Sequence, residues 1–109
     1  MANTFKLKTK ANVGVTTVGI YTAPAATTTV VIGITLANTS GSGVNVGVGI
    51  TRAGTTEDVK LLKNAPIPQG SSLEFMAGNK IVLEETDTVT VDIDTNNSVD
   101  AALTIMEIT

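Results

Sequence analysis

Short alternations of apolar and polar residues recur along this chain. Phe5 and Leu7 alternate with Lys6, Lys8 and Lys10. Val18, Ile20 and the neighbouring Tyr21 follow, closed by Ala23-Pro24. Val30, Ile32, Ile34 and Leu36 lead to a turn over 38–43. Val44, Val46, Val48 and Ile50 then alternate with Asn45, Gly47 and Gly49, up to a break at Gly54. A short run around Val59, Leu61 and Leu62 is interrupted by Pro66, Pro68 and Gly70. Leu73, Phe75 and Met76 begin another, ended by Gly78-Asn79. Ile81-Val82-Leu83 leads through Glu84-Glu85-Thr86-Asp87 into Val89, Val91 and Ile93. Asn96-Asn97 turns the chain into Val99, Ala101, Leu103 and Ile105. A period of two is the signature of half-buried strands. Turn signals roughly every 8–12 residues suit a sandwich or barrel. No window carries a 3.6-residue apolar stripe, and only residues 55–63 leave room for a helical turn. The pattern predicts an all-β fold: a single immunoglobulin-like or jelly-roll-like β-sandwich of about eight strands, as one domain over 1–109.

The run VNVGVGI at 44–50 spends two glycines in one strand, although glycine weakens a strand and packs nothing there. Pairing 30–36 with 44–50 as a hairpin places Gly33 near Gly49 and Thr35 near Gly47. Val30, Ile32, Ile34, Val46, Val48 and Ile50 then form the core side. The reverse side, Gly33, Thr35, Gly47 and Gly49, is nearly bare and becomes a candidate contact face, because bare backbone lets another backbone approach closely. The competing reading of the same glycines is a bulge or tight bend at a sandwich corner.

Composition strengthens the strand reading. Thirteen Val and nineteen Thr stand against three aromatics in 109 residues. There is no Cys, which excludes disulfides and thiolate metal sites, and no His, the commonest general base and metal ligand. The start MANTFKLKTK has no apolar h-region, so no signal peptide is expected. No apolar run approaches the roughly 18 residues of a membrane-spanning helix, so no membrane partner is expected. The net charge of −3 argues against general nucleic-acid binding. Its distribution is uneven: residues 1–63 carry a net +4 and residues 64–109 a net −7. The halves either meet within one sandwich or attract each other between copies.

Few motifs suggest chemistry. Asp92, Asp94, Asn96 and Asp100 partly follow a calcium-loop spacing, but Asn97 stands where that loop needs Gly, and Leu103 where it needs Glu. A hairpin with outward carboxylates fits better, and no metal is assigned. Glu84, Glu85 and Asp87 cluster, yet glycoside cleavage also wants a cleft and aromatic platforms that this chain lacks. No catalytic or cofactor-binding residue, and no cofactor, is assigned. Lys6, Lys8 and Lys10 share one face of a strand. They form a candidate basic contact strand, or protect a sheet edge from stray pairing.

The segments YTAP at 21–24, VVIGITLANTS at 30–40, APIPQGSSLEF at 65–75, VLEETDTVTV at 82–91 and LTIMEI at 103–108 resemble small virion structural proteins of tailed phages of marine bacteria, including cyanophages. These motifs are structural, not catalytic. The resemblance implies a non-enzymatic virion component built on an immunoglobulin-like sandwich. Such a component would be a head decoration protein, bound to the major capsid protein or other virion subunits. The alternative is a tail, neck or fibre accessory, such as a module that binds a host surface. It further implies assembly as a homo-oligomer or symmetric array, and a place in the virion after synthesis in the host cytoplasm.

Overall fold

The computed structural model describes residues 3–52, 58–74 and 80–109. Among the described residues nine strands run in chain order: β1 Asn3–Val13, β2 Val18–Thr22, β3 Thr28–Asn38, β4 Val44–Thr51, β5 Asp58–Ile67, β6 Ser72–Glu74, β7 Ile81–Leu83, β8 Thr88–Ile93 and β9 Val99–Ile108. They make two antiparallel sheets packed as a sandwich. The first has the order β1-β9-β3-β6, with β7 also on β3, and the second has β2-β8-β4-β5. β6 meets β3 at Thr35–Ala37 and β7 meets it at Thr29–Val31, so the two short strands together fill one strand position. The pairing is nested: β1 with β9, β2 with β8, β3 with β6 and β7, β4 with β5. That nesting is an antiparallel ribbon rolled up on itself, the jelly-roll arrangement and not the immunoglobulin one.

The core lies between the sheets. Ile34 and Leu36 of β3, Val46 and Val48 of β4, Leu83, Val89, Val91, Val99, Leu103 and Ile105 are all essentially inaccessible to solvent. Each such side chain stabilises the fold by about 1.5–3 kcal/mol relative to an exposed position. Alternation works best in β8 and β9, where every second residue from Val89 to Ile93 and from Val99 to Glu107 is buried. Among the described residues no helix is long and apolar enough to cross a membrane.

Several sequence expectations are corrected. β3 and β4 do not form a hairpin; they lie in different sheets. β3 already has β9 along one edge and β6 and β7 along the other, so β4 has no free edge to join. The chain crosses over the end of the sandwich instead. Asn38 braces the crossing: its Nδ2 donates to the carbonyls of Ser42 (2.8 Å) and Ile67 (3.0 Å), and its Oδ1 accepts from the Ser40 amide at 2.9 Å.

The facing of β3 also changes along its length. A register shift between Val31 and Gly33 inserts an extra residue against β9. Upstream of it Thr29 and Val31 point inward, and downstream Ile34 and Leu36 do. Val30 and Ile32, expected in the core, are only half-buried, because one extra residue exchanges the two faces. Residues 58–63, within the stretch open to a helical turn, belong to strand β5, which continues through Pro66. Proline is tolerated there because β5 lies at the edge of its sheet. The expected break at Gly54, the run at Phe75 and Met76, and the turn at Gly78-Asn79 lie outside the described residues.

Candidate contact surface

The expected glycine face is divided by the crossover. Gly33 and Thr35 lie on the outer side of the β1-β9-β3 sheet, and Gly47 and Gly49 lie in β4 of the other sheet. They do not form one surface. Gly47 and Gly49 are buried. They flank two register shifts in the β4–β5 pair, at Val46/Val48 and at Val48/Gly49. A Cβ on Gly47 would sit 2.7 Å from Asp92 Oδ1, and one on Gly49 would sit 2.9 Å from the Val59 carbonyl oxygen. Neighbouring groups therefore already occupy the space over both glycines. Asp92 of β8 and the Val59 carbonyl of β5 crowd these two glycines, whereas a Cβ on Gly33 would meet nothing within 4 Å.

The first sheet presents a different surface. Opposed residues in antiparallel strands project to the same face. The pairs Phe5↔Met106, Met106↔Val30 and Val30↔Val82 therefore line up as one apolar row across four strands. Leu7, opposite Thr104, stands beside that row, and Ile108 extends it along β9. Phe5, Leu7 and Val82 are 70%, 65% and 59% exposed, which leaves the row open to solvent. Beyond it Thr9, Ala11, Thr35, Ala37 and Ala102 line a shallow depression, with Lys10 and Asp100 also at its wall. Thr35 also donates to Glu74 Oε2 at 3.2 Å, on the neighbouring β6. Four strands and about ten residues make a face of about 600 Å². That is close to the roughly 800 Å² that each partner contributes to a standard protein interface.

Strand β1 is inverted relative to its neighbours. Lys6, Lys8 and Lys10 pair with Ile105, Leu103 and Ala101, so they project from the core side of the sheet. Phe5 and Leu7 project outward. Inward-pointing charge on an edge strand obstructs uncontrolled edge-to-edge pairing. Lys6 has a specific partner: its Nζ lies 2.8 Å from Glu107 Oε1, a side chain only 8% exposed. Tyr21, from the opposite sheet, donates its hydroxyl to Glu107 Oε2 at 2.6 Å and lies 2.8 Å from Thr29 Oγ1. The network ties β1, β9 and β3 to β2. The Lys6 hydrogen bond, followed by that of Tyr21, holds the Glu107 carboxyl below its ordinary 4.5, against the opposing effect of burial. Burial, followed by the Glu107 hydrogen bond, pushes the Tyr21 phenol up to about 12.

The acidic segments are structural. Arg52 Nε meets Asp87 Oδ1 at 3.0 Å, and Arg52 Nη2 meets Glu84 Oε1 at 3.2 Å. Asp87 Oδ2 accepts the Glu84 amide, and Glu85 accepts that of Ala26, so these carboxylates build a turn. Asp94 accepts the Asn45 amide and Asp100 that of Asn12. Among the described residues no three His, Cys, Asp or Glu side chains gather as a metal site. The Lys6–Glu107 and Arg52–Glu84/Asp87 pairs each join the basic and acidic halves of the sequence within the chain.

No family model matches this chain. No curated protein matches it either. Solved structures that share its fold include two from assembled particles or fibres. One is a chain of the Bacillus endospore appendages, described as a novel family of disulfide-linked pili. It is 16% identical with a TM-score of 0.60, covering 99% of this chain and 87% of that one. The other is a chain of the T13 IBDV viral particle, 14% identical with a TM-score of 0.58, covering 96% of this chain. This chain spans 30% of that viral one. At these identities the likeness establishes the fold alone.

Proposed function

We propose that this chain is a non-enzymatic structural subunit of a tailed-bacteriophage virion, a capsid decoration protein that docks on the major capsid shell. The observation carrying this reading is the open apolar row Phe5–Met106–Val30–Val82 on an otherwise flat, small-residue sheet face. Contiguous exposed apolar patches are a mark of interaction sites. Repeated over a symmetric shell, one modest interface per copy gives large total avidity. Two shared-fold neighbours that come from assembled structures, a pilus and a viral particle, are compatible with this role, as is the resemblance in sequence. The absence of Cys means that any joint this chain makes differs from a disulfide-linked one.

The test has two arms. Copies per purified virion are counted against the major capsid protein on a calibrated stained gel. Phe5→Ser/Val82→Ser chains are then added to particles lacking the protein. Hundreds of copies, and lost binding by a variant with unchanged melting temperature, are expected. A few to a few dozen copies would instead assign the chain to the tail, neck or a fibre. Full binding by the double variant would remove the row as the docking site.

A further inference from the structure

We propose that β1 is an exchangeable strand, and that the edge of β9 can accept β1 from a second copy of this chain. The proposal is independent of where the protein docks.

The first observation is how little β1 contributes to the core. From Asn3 to Asn12 no residue of the strand is buried; only Val13, its last residue, is. Its outward residues Phe5 and Leu7 meet solvent, and its inward residues are the three lysines. Residues 3–10 are therefore held by main-chain pairing to β9 and by the Lys6–Glu107 contact. Their departure would leave no cavity in the core.

The second observation is that the vacated edge is selective. Behind it lies the Glu107 carboxylate, almost fully buried and hydrogen-bonded to Tyr21. A buried carboxylate deprived of its cation is strongly unfavourable. An incoming strand must therefore offer a cation at the position opposite Ile105, beside Glu107, and alternate in phase with β9. The β1 strand of another copy meets both requirements in the same register. Two β1 strands pairing with each other would instead bring their lysine rows together, which like-charge repulsion opposes.

The third observation is a hinge. Regular pairing lapses between Lys10 and Val13. Within that gap Asn12 adopts a left-handed backbone at φ 58°, and Gly14 follows. The turned-back path is clasped by the Asn12 amide donating to Asp100 Oδ1 at 3.0 Å. Relaxing Asn12 to an extended conformation would carry β1 away from its own β9 with its pairing groups intact. Exchange restores every pairing while joining two copies, which makes it a low-cost route to association. The apolar row would then be assembled from two chains, one supplying Phe5 and the other Met106, Val30 and Val82.

The absence of native Cys permits a clean test. Thr9 and Ala102 are directly opposed on the outer face, within reach of a disulfide. Full-length Thr9→Cys and Ala102→Cys chains are unfolded together, refolded at several concentrations and oxidised. The Thr9→Cys chain mixed with Ser71→Cys serves as the collision control. A disulfide-linked heterodimer several-fold above that control, rising with concentration, is expected. The Thr9→Cys/Ala102→Cys double variant confirms the register by closing its own disulfide at low concentration. Complete closure there, with mixed single variants no more crosslinked than the control at any concentration, would overturn the proposal. Particle binding is read separately, so failure of exchange leaves the docking result standing.

Discussion

Valine placed at Gly33, Gly47 and Gly49 should give three different outcomes, although the three glycines look alike in sequence. At Gly33 the new side chain enters open space on the outer face, with nothing within 4 Å of its Cβ. A β-branched residue in an extended strand should leave stability unchanged or raise it by up to about 1 kcal/mol. At Gly47 the Cβ would meet Asp92 Oδ1 at 2.7 Å, but a carboxylate at the end of a side chain can swing away, so the loss should stay below about 1 kcal/mol. At Gly49 the obstacle is the Val59 carbonyl oxygen at 2.9 Å, with Thr90 Oγ1 at 3.3 Å. Backbone cannot move without spoiling the β4–β5 pairing, and overpacking of this kind costs about 1–3 kcal/mol. At roughly 4–8 °C per kcal/mol for a domain of this size, Gly49→Val should melt about 5–20 °C below the parent. Thermal unfolding by circular dichroism, with denaturant midpoints to confirm, reads the series. Equal losses at Gly33 and Gly49 would refute the reasoning, since they would show that backbone conformation, and not the neighbouring atoms, decides the cost.

Glu107→Gln should alter the response to acid. The folded Glu107 carboxyl lies below its ordinary 4.5, so its contribution to stability is present above that value and is lost as pH falls through the lower folded value. The gap in denaturant midpoint between parent and variant should be widest near neutrality and close in acid; a constant gap would contradict this. Leu103→Ala, at a fully buried site, should cost about 2–5 kcal/mol in chemical unfolding, and a loss under about half a kilocalorie would show that β9 is not a core strand.

The strands and their turns were largely legible because period-two alternation is a local property. Val89, Val91, Ile93, Val99, Leu103 and Ile105 fall in the core as the alternation requires. Pairing was not legible. The turn at 38–43 reads as a hairpin, but β3's edges were already taken by strands far along the chain. A single inserted residue at Ile32 then exchanged the faces of half of β3, and nothing local signals a bulge made against β9. The exposed apolar row on the first sheet was missed for a related reason. Lys6, Lys8 and Lys10 invite the assumption that charge faces water and Phe5 and Leu7 face the core, which the register of β1 against β9 reverses. One signal was available: LTIMEI at 103–108 is apolar on both faces, more than a strand with one solvated side needs.

The nested strand order has a consequence for biosynthesis. β9 lies between β1 and β3, so neither can complete its pairing until residues 99–108 have left the ribosome. Until then the nascent chain would hold out two eleven-residue strands without their shared neighbour. Contacts so distant in sequence also close slowly once they become possible. An exposed, unpaired strand is an invitation to aggregate in the crowded interior of a producing cell. The lysines of β1, poorly placed to build a core, are well placed to keep that waiting strand solvated and apart from its copies.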